Sequence, residues 1–250
     1  MRYLTVGSLI VIAMSLAVIA AVELATPVKA QKETPPAAEH EEAGKKEATE
    51  GVKHVRLAAE LAQWGRDNKH PGALALASRI LADVPLEESS ELGAMIVAEN
   101  DAKPVNVRAI GSDAVLKEAL EMCGEDVLKR NVMDAIAKMG LKGRGAIAGA
   151  VFANGACDGK FKDAKGVERM YQAALAVKFK KGELAAVWVG GQGDGELDLY
   201  ILDAAGNRVA SDETKGDSCW CDWTPKADAE FKIIILNRSD KKNSFSIVTN

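Results

Sequence analysis

Apolar and polar residues alternate at every second position through much of the segment 161–250, in short runs closed by Gly, Asp, Asn or Lys. In Ala173–Phe179, Leu175, Val177 and Phe179 share a face; in Leu184–Gly190, Val187 and Val189 share one while Trp188 takes the other. A period of two places successive side chains on opposite faces of a sheet, so each run predicts a half-buried strand. Glu196–Asp203, Arg208–Ser211, Cys219–Trp223, Phe231–Asn237 and Ser244–Thr249 extend the series. Between them, Lys180-Lys181-Gly182-Glu183 and Asp203-Ala204-Ala205-Gly206-Asn207 carry residues suited to turns. Many short strands with frequent turns predict two antiparallel sheets packed face to face.

Upstream the period lengthens. Val52, Val55, Ala59 and Ala62 fall on one helical stripe with Leu57, Leu61 and Trp64 beside it. Asp67-Asn68-Lys69-His70-Pro71 breaks this helix, and Pro71 suits the first turn of the next, whose apolar side is Leu74, Ala77, Ile80 and Leu81. Trp64 is expected as the knob between the two helices, and His70 as a turn residue. Residues 84–111, broken by Pro85, Gly93 and Pro104, keep no period. Helical spacing returns after Ser112 through Leu116 and Leu120, and again from Glu125-Asp126 through Val132, Ile136 and Met139 to Gly140. The predicted fold is therefore α+β in separate parts: a small helical domain over 51–140, a Gly-rich hinge and first β segment over 141–160, and an antiparallel sandwich over 161–250. Gly143 to Ala148 approach a dinucleotide glycine fingerprint, but they follow helices, with no strand–turn–helix around them, and read as a hinge.

The N-terminal region changes the expected compartment. Met1 and Arg2 precede an apolar run from Leu4 to Val22, and Val28-Lys29-Ala30 offers a small-residue cleavage site. This predicts a signal peptide over 1–30, cleaved near Ala30, and a periplasmic or secreted chain with no membrane attachment after cleavage. An uncleaved anchor is the alternative, since the run is nearly long enough to span a bilayer. Residues 31–50, rich in Ala, Glu and Lys, are expected to be a flexible spacer. A net charge of −4 with interspersed signs, and no basic stripe, argues against a nucleic-acid partner.

Candidate chemistry is sparse. The histidines are His40, His54 and His70, all upstream of the strands; GxSxG and HExxH are both absent. No catalytic residues are assigned, and the chain is not expected to be an enzyme. Cys157, Cys219 and Cys221 are disulfide candidates in an exported chain, Cys157 with one of the other two. Asp194, Glu196 and Asp198 recur at every second position near turn aspartates; no cofactor is expected, with calcium the one metal this carboxylate set would suit. Strand parity turns Trp188 and Trp220 away from Val187, Val189 and Cys221. The two indoles are either an open recognition face or a seam covered by the helices.

The string GDGELDLYILDAAGNRVASDE, followed by Trp223-Thr224-Pro225, Asn237-Arg238 and Thr249-Asn250, resembles bacterial pre-peptidase C-terminal domains. The resemblance covers 161–250 with separated motifs in order; Ala210 and Cys221 depart from it. The segment LAQWGRDNKHPGALALASRILADV is also similar to a helical stretch that accompanies such domains in some exported bacterial proteins. The resemblance implies a jelly-roll-like β-sandwich that assists secretion or substrate attachment and is itself non-catalytic; some relatives bind calcium or polymers. The expected role is an exported binding or secretion-accessory protein with an extracytoplasmic protein or polymer as partner. The alternative is a secreted hydrolase or a hydrolase accessory subunit.

Overall fold

The computed structural model describes residues 37–98, 104, 110–139, 150–192 and 195–250, with side chains from Thr49 onward. In chain order the helices are α1 (Ala37–Asp67), α2 (Pro71–Leu81), α3 (Ser90–Met95), α4 (Ser112–Met122) and α5 (Val127–Ala137). The strands are β1 (Leu86–Glu88), β2 (Val97–Ala98), β3 (Ala150–Cys157), β4 (Phe161–Lys162), β5 (Glu168–Arg169) and β6 (Gln172–Phe179). They continue as β7 (Ala185–Gly190), β8 (Leu197–Leu202), β9 (Arg208–Asp212), β10 (Ser218–Trp223), β11 (Ala229–Asn237) and β12 (Asn243–Thr249).

Two five-stranded sheets run β1-β3-β12-β7-β10 and β2-β6-β11-β8-β9. Apart from β1, which runs parallel to β3, every neighbour is antiparallel. The chain passes from one sheet to the other along this order, which is a jelly-roll β-sandwich. Val187, Val189 and Cys221 point inward as strand parity predicts, and Leu199, Ile233 and Ile247 fill the interior beside them. Trp223 closes one end, 4.9 Å from Phe179 and 5.3 Å from Phe231 between ring centres.

A second apolar layer lies on the outer face of the first sheet. Val52, Val55, Ala58 and Ala62 of α1, Leu74 and Leu81 of α2, and Val115 and Ala119 of α4 join Ala150, Ala186, Trp188 and Val248 of the strands there. Covered on both faces, β12 is buried along its whole length. Glu39–Asn250 thus forms one compact unit, the helices contributing an apolar stripe too small for a core of its own.

The boundaries differ from those the sequence suggests. Helix α1 begins at Ala37, inside the segment expected to be a spacer. Ala, Glu and Lys are strong helix formers, so a tract too polar to make a core still coils. β1 and β2 come from the stretch assigned to the helical domain, and β3 is a full strand within 141–160. β1 and β2 are too short to show a period. β3 carries Gly155 where Phe245 crosses it: a Cβ there would lie 2.5 Å from that ring. The expected signal peptide over 1–30 and most of the Gly-rich stretch lie outside the described residues.

Trp64 is not the knob between the helices. It is 50% exposed and leans on His70, 5.4 Å between rings. His70 caps α2, its Nδ1 accepting from the Ala73 N–H at 3.1 Å. Gly65 supplies the close helix contact instead, where a Cβ would meet that of Ala73 at 3.1 Å.

Candidate functional site

Register across β3, β12, β7 and β10 builds the outer face of the first sheet row by row. One row runs Phe152, Val248, Trp188, Trp220; the next runs Asn154, Ser246, Gly190, Ser218. An apolar row is thus followed by a polar one. Trp188 is 3% exposed beneath the helices, whereas Trp220 is half-buried with the Arg56 guanidinium 5.5 Å from its ring centre. Trp188 Nε1 donates to Ser218 Oγ at 2.9 Å, drawing the indole across Gly190. A Cβ on Gly190 would fall 2.2 Å from the benzo ring, so a glycine there is a condition of this indole position.

Over the polar row the helices stand off from the sheet and leave a cleft of about 300 Å³. Its roof is Ala58, Ala59 and Ala62 of α1 with Val115 of α4; its floor is Trp188, Ser218, Ser244 and Ser246. Small side chains on α1 make the space. Glu60, Gln63, Arg66, Gln192 and Asp217 are its other polar residues. Arg66 is joined to Glu118 by two bonds of 2.7 and 2.9 Å, and Glu60 to Arg56 at 2.8 Å. Asn243 Nδ2 donates to Asp217 at 2.5 Å. The lining includes no histidine and no cysteine. Hydrogen bonding and apolar contact are what this arrangement offers. A wider and somewhat more open hollow of about 740 Å³ lies on the outer face of the second sheet, beside Val97.

Of the three carboxylates singled out from the sequence, Glu196 immediately precedes β8 and Asp198 lies within it. Asp194 lies outside the described residues. The backbone of Glu196 is held at both ends, its N–H donating to Ser239 Oγ at 2.7 Å and its carbonyl accepting from Arg238 N at 2.9 Å. Asp198 is fully buried, accepting from Arg238 Nε at 2.5 Å and Tyr200 Oη at 2.9 Å. Burial, and then the Asp198 carboxylate, push the Tyr200 phenol up to about 12. Asp203 and Asp212 cap turns: Asp203 accepts from the Ala205 and Asn207 N–H groups, and Asp212 from those of Thr214 and Trp220. Among the described residues no three or more His, Cys, Asp or Glu are grouped to hold a metal.

The expected disulfide is not formed: Cys123, Cys157, Cys219 and Cys221 are all buried thiols. Topology is the reason. Cys157 is on β3 and the other two candidates on β10, with β12 and β7 between them. Three strand spacings are about 14 Å, against the roughly 4.4–6.8 Å between Cα atoms that a disulfide spans. Cys219 Sγ donates to the Leu197 carbonyl at 3.0 Å, and Cys157 Sγ to that of Ile235 at 3.5 Å.

Ser218, Ser246 and Gly190 were not distinguishable in the sequence. Parity alone could have placed Ser218 with Trp220 and Gly190 with Trp188 on the outer face. Register, which joins the two strands and adds β12, has no local signature.

The strand order and the helix-roofed cleft define a jelly-roll β-sandwich with a helical cover. No family model matches the chain, and no curated protein matches it. Solved structures similar to it include the pre-peptidase C-terminal domain of a collagenase from Bacillus anthracis, at TM-score 0.28 and 7% identity over 38% of this chain and 88% of that one. PliG from Aeromonas hydrophila, a periplasmic inhibitor of g-type lysozyme, matches at 0.30 and 9% identity over 40% and 84%. A carbohydrate-binding module of the Cellvibrio mixtus lichenase 5A, in complex with cellotriose, matches at 0.24 and 11% over 38% and 86%. The assignment of fold rests on the strand order itself. Among the described residues no helix is long and apolar enough to cross a membrane.

Proposed function

We propose that this chain is an exported, non-catalytic binding protein that takes its ligand in the cleft between α1 and the outer face of the first sheet. The observation that carries the reading is the cleft's construction. Where the helices meet the apolar row they pack onto it; over the polar row the short side chains of Ala58, Ala59 and Ala62 leave a half-open cleft above Ser218, Ser244 and Ser246. A site of about 300 Å³ with apolar walls and a few convergent polar groups has the dimensions and chemistry of a small-ligand pocket. Trp188 serves as its floor, and Trp220 lies one strand away.

Filling the roof tests this. In Ala59→Leu the added side chain occupies the cleft, so the folded protein should keep or gain thermal stability while solutes that shift the Trp188 indole resonance of the wild type cease to do so. Unchanged solute binding in that variant would mean that the cleft is a packing defect. Export is tested separately by the intact mass of secreted or periplasmic material, which should begin at Gln31; a full-length precursor held in membrane would refute it.

A further inference from the structure

We propose that the hollow on the outer face of the second sheet is a separate ligand site, which takes a medium-chain aliphatic carboxylate with its head on Lys232. The site is independent of the cleft, which lies on the other sheet.

Strand parity and register build it as a trough. Ile233 and Ile235 of β11 point into the sandwich, so Lys232 points out of it. Its cross-strand neighbours are Ala176 of β6 on one side and Leu202 of β8 on the other. Two residues along β6 and on the same face is Ala174, whose own neighbour is Val97 of β2. Val97 is 70% exposed, and Met95, at the end of α3, is 39% exposed. The alanines thus keep the floor low between a cation and an aliphatic wall, and all of these outward side chains are partly or fully open to solvent. Aliphatic surface held in water gains when a ligand covers it.

Charge selects the head group. Lys232 makes no ion pair among the described residues. The carboxylate two residues along its strand, Glu230, stands opposite Lys178. Asp203, at the far rim, has both oxygens engaged by its own turn, Oδ1 by the Ala205 and Asn207 N–H groups and Oδ2 by Asn207 Nδ2 at 3.0 Å. The ammonium is therefore unpaired, with aliphatic neighbours on either side, and a carboxylate complements it.

The rest of the floor selects the tail. Among the described residues the lining has no aromatic side chain, so a sugar ring finds no plane on which to stack. Gln172 is its amide, and that side chain already has a partner. A peptide or glycan would give up water from its polar groups here without replacement, whereas an alkyl chain has none to give up. From Lys232 to Val97 the floor crosses two strand spacings, about 9.5 Å, which an extended chain of roughly eight to ten carbons covers.

Isothermal titration of the mature protein with hexanoate, octanoate, decanoate and dodecanoate, each below its micelle concentration, tests the site. Decanoate should bind saturably. Affinity should rise about twofold per methylene up to decanoate, half the gain of complete burial, and then level off. Decyltrimethylammonium, with the same chain and the opposite charge, should bind at least tenfold more weakly. Lys232→Gln should weaken decanoate at least tenfold and leave 1-octanol unchanged, while Lys232→Arg should keep decanoate tight. Ala176→Phe raises the floor on a solvent-facing position and should weaken decanoate and 1-octanol alike. Ala59→Leu fills the cleft on the other sheet and should leave decanoate untouched. Absence of saturable binding, equal affinity for the cationic amphiphile, or a Lys232→Gln variant that binds decanoate like the wild type overturns the proposal. Decanoate binding that Ala59→Leu abolishes also overturns it, and puts the carboxylate in the cleft instead.

Discussion

The indole N–H of Trp188 donates to the hydroxyl of Ser218 across the β7–β10 pair at 2.9 Å. The bond fixes a buried aromatic over Gly190, a sheet position that lacks a side chain. Removing the acceptor in Ser218→Ala leaves a buried N–H without its partner, which costs about 1–3 kcal/mol. Trp188→Ala removes a side chain buried beneath the helical layer and should cost about 3–5 kcal/mol. Urea unfolding of both variants checks the order. If Trp188→Ala proves the milder change, the helices do not rest on that indole.

Asn237 is fully buried, and its side-chain Nδ2 donates to the carbonyls of Cys157, Asp158 and Lys241 at 3.1, 2.9 and 2.8 Å. Its Oδ1 accepts from the Ser239 N–H at 2.9 Å. One amide therefore holds the end of β3 to the β11–β12 turn. Asn237→Asp keeps the shape but turns a carboxylate toward three carbonyl oxygens, and should cost at least about 3 kcal/mol at neutral pH. The loss should shrink as pH falls, because a protonated carboxyl regains a donor. A penalty that is the same at pH 4 and pH 7 would contradict this account.

The strands carrying Val187, Val189, Leu199 and Ile233 were legible because one face of each is apolar and the alternation survives. β3 was only partly legible, since Gly155 at its middle is set by Phe245, a residue far away in sequence. The two-sided burial of Trp188 was foreseeable as a choice between cover and exposure, and the helical stripe of α1 is what covers it. The cleft itself was not legible. It exists because Ala58, Ala59 and Ala62 lie opposite Ser218 and Ser246, and that juxtaposition depends on helix placement and strand register together. The cysteines misled for the same reason: their number suggests a disulfide, but the jelly-roll order sets β3 and β10 three strands apart.

Arg238 and Asp198 form an ion pair whose carboxylate is fully buried while the guanidinium stays one-third exposed. Arg238→Met strands the carboxylate and should cost about 3 kcal/mol, whereas adding Asp198→Asn should recover part of that loss. Burial and then Asp198 hold the Tyr200 phenol up at about 12, so Asp198→Asn alone should bring it down in a spectroscopic titration. Strictly additive stability losses together with an unmoved phenol would show that the three groups act independently.

All four cysteines should react as thiols once the chain is unfolded without reductant. In the folded protein they should be slow: burial pushes Cys221 up to about 12 and Cys219 higher still, which leaves almost no thiolate at neutral pH. Counting with a thiol reagent in denaturant and in native buffer separates the two states. Fewer than four thiols in denatured, non-reduced protein, or a rapid native reaction of Cys219, would refute the buried-thiol assignment.

Asp212 links the end of β9 to β10, accepting from the Trp220 N–H at 2.8 Å and from the Thr214 hydroxyl and N–H at 2.7 and 3.1 Å. Burial works to raise its carboxyl, but the bonds from Thr214 and Trp220, with Arg56 nearby, outweigh it and hold the group below its ordinary value of 3.8. A carboxyl whose folded-state pKa is depressed stabilises the fold fully above its unfolded value and loses that contribution as pH falls through the folded one. Since the side chain is partly solvated and screened, the contribution at neutral pH should be about 1 kcal/mol. Asp212→Asn should therefore unfold at lower urea than the wild type at pH 7, and the gap should narrow steadily below about pH 4 as the wild-type group is protonated. A gap that stays constant from pH 7 to pH 3 would mean that the charge on Asp212 contributes nothing and that the side chain acts through shape alone.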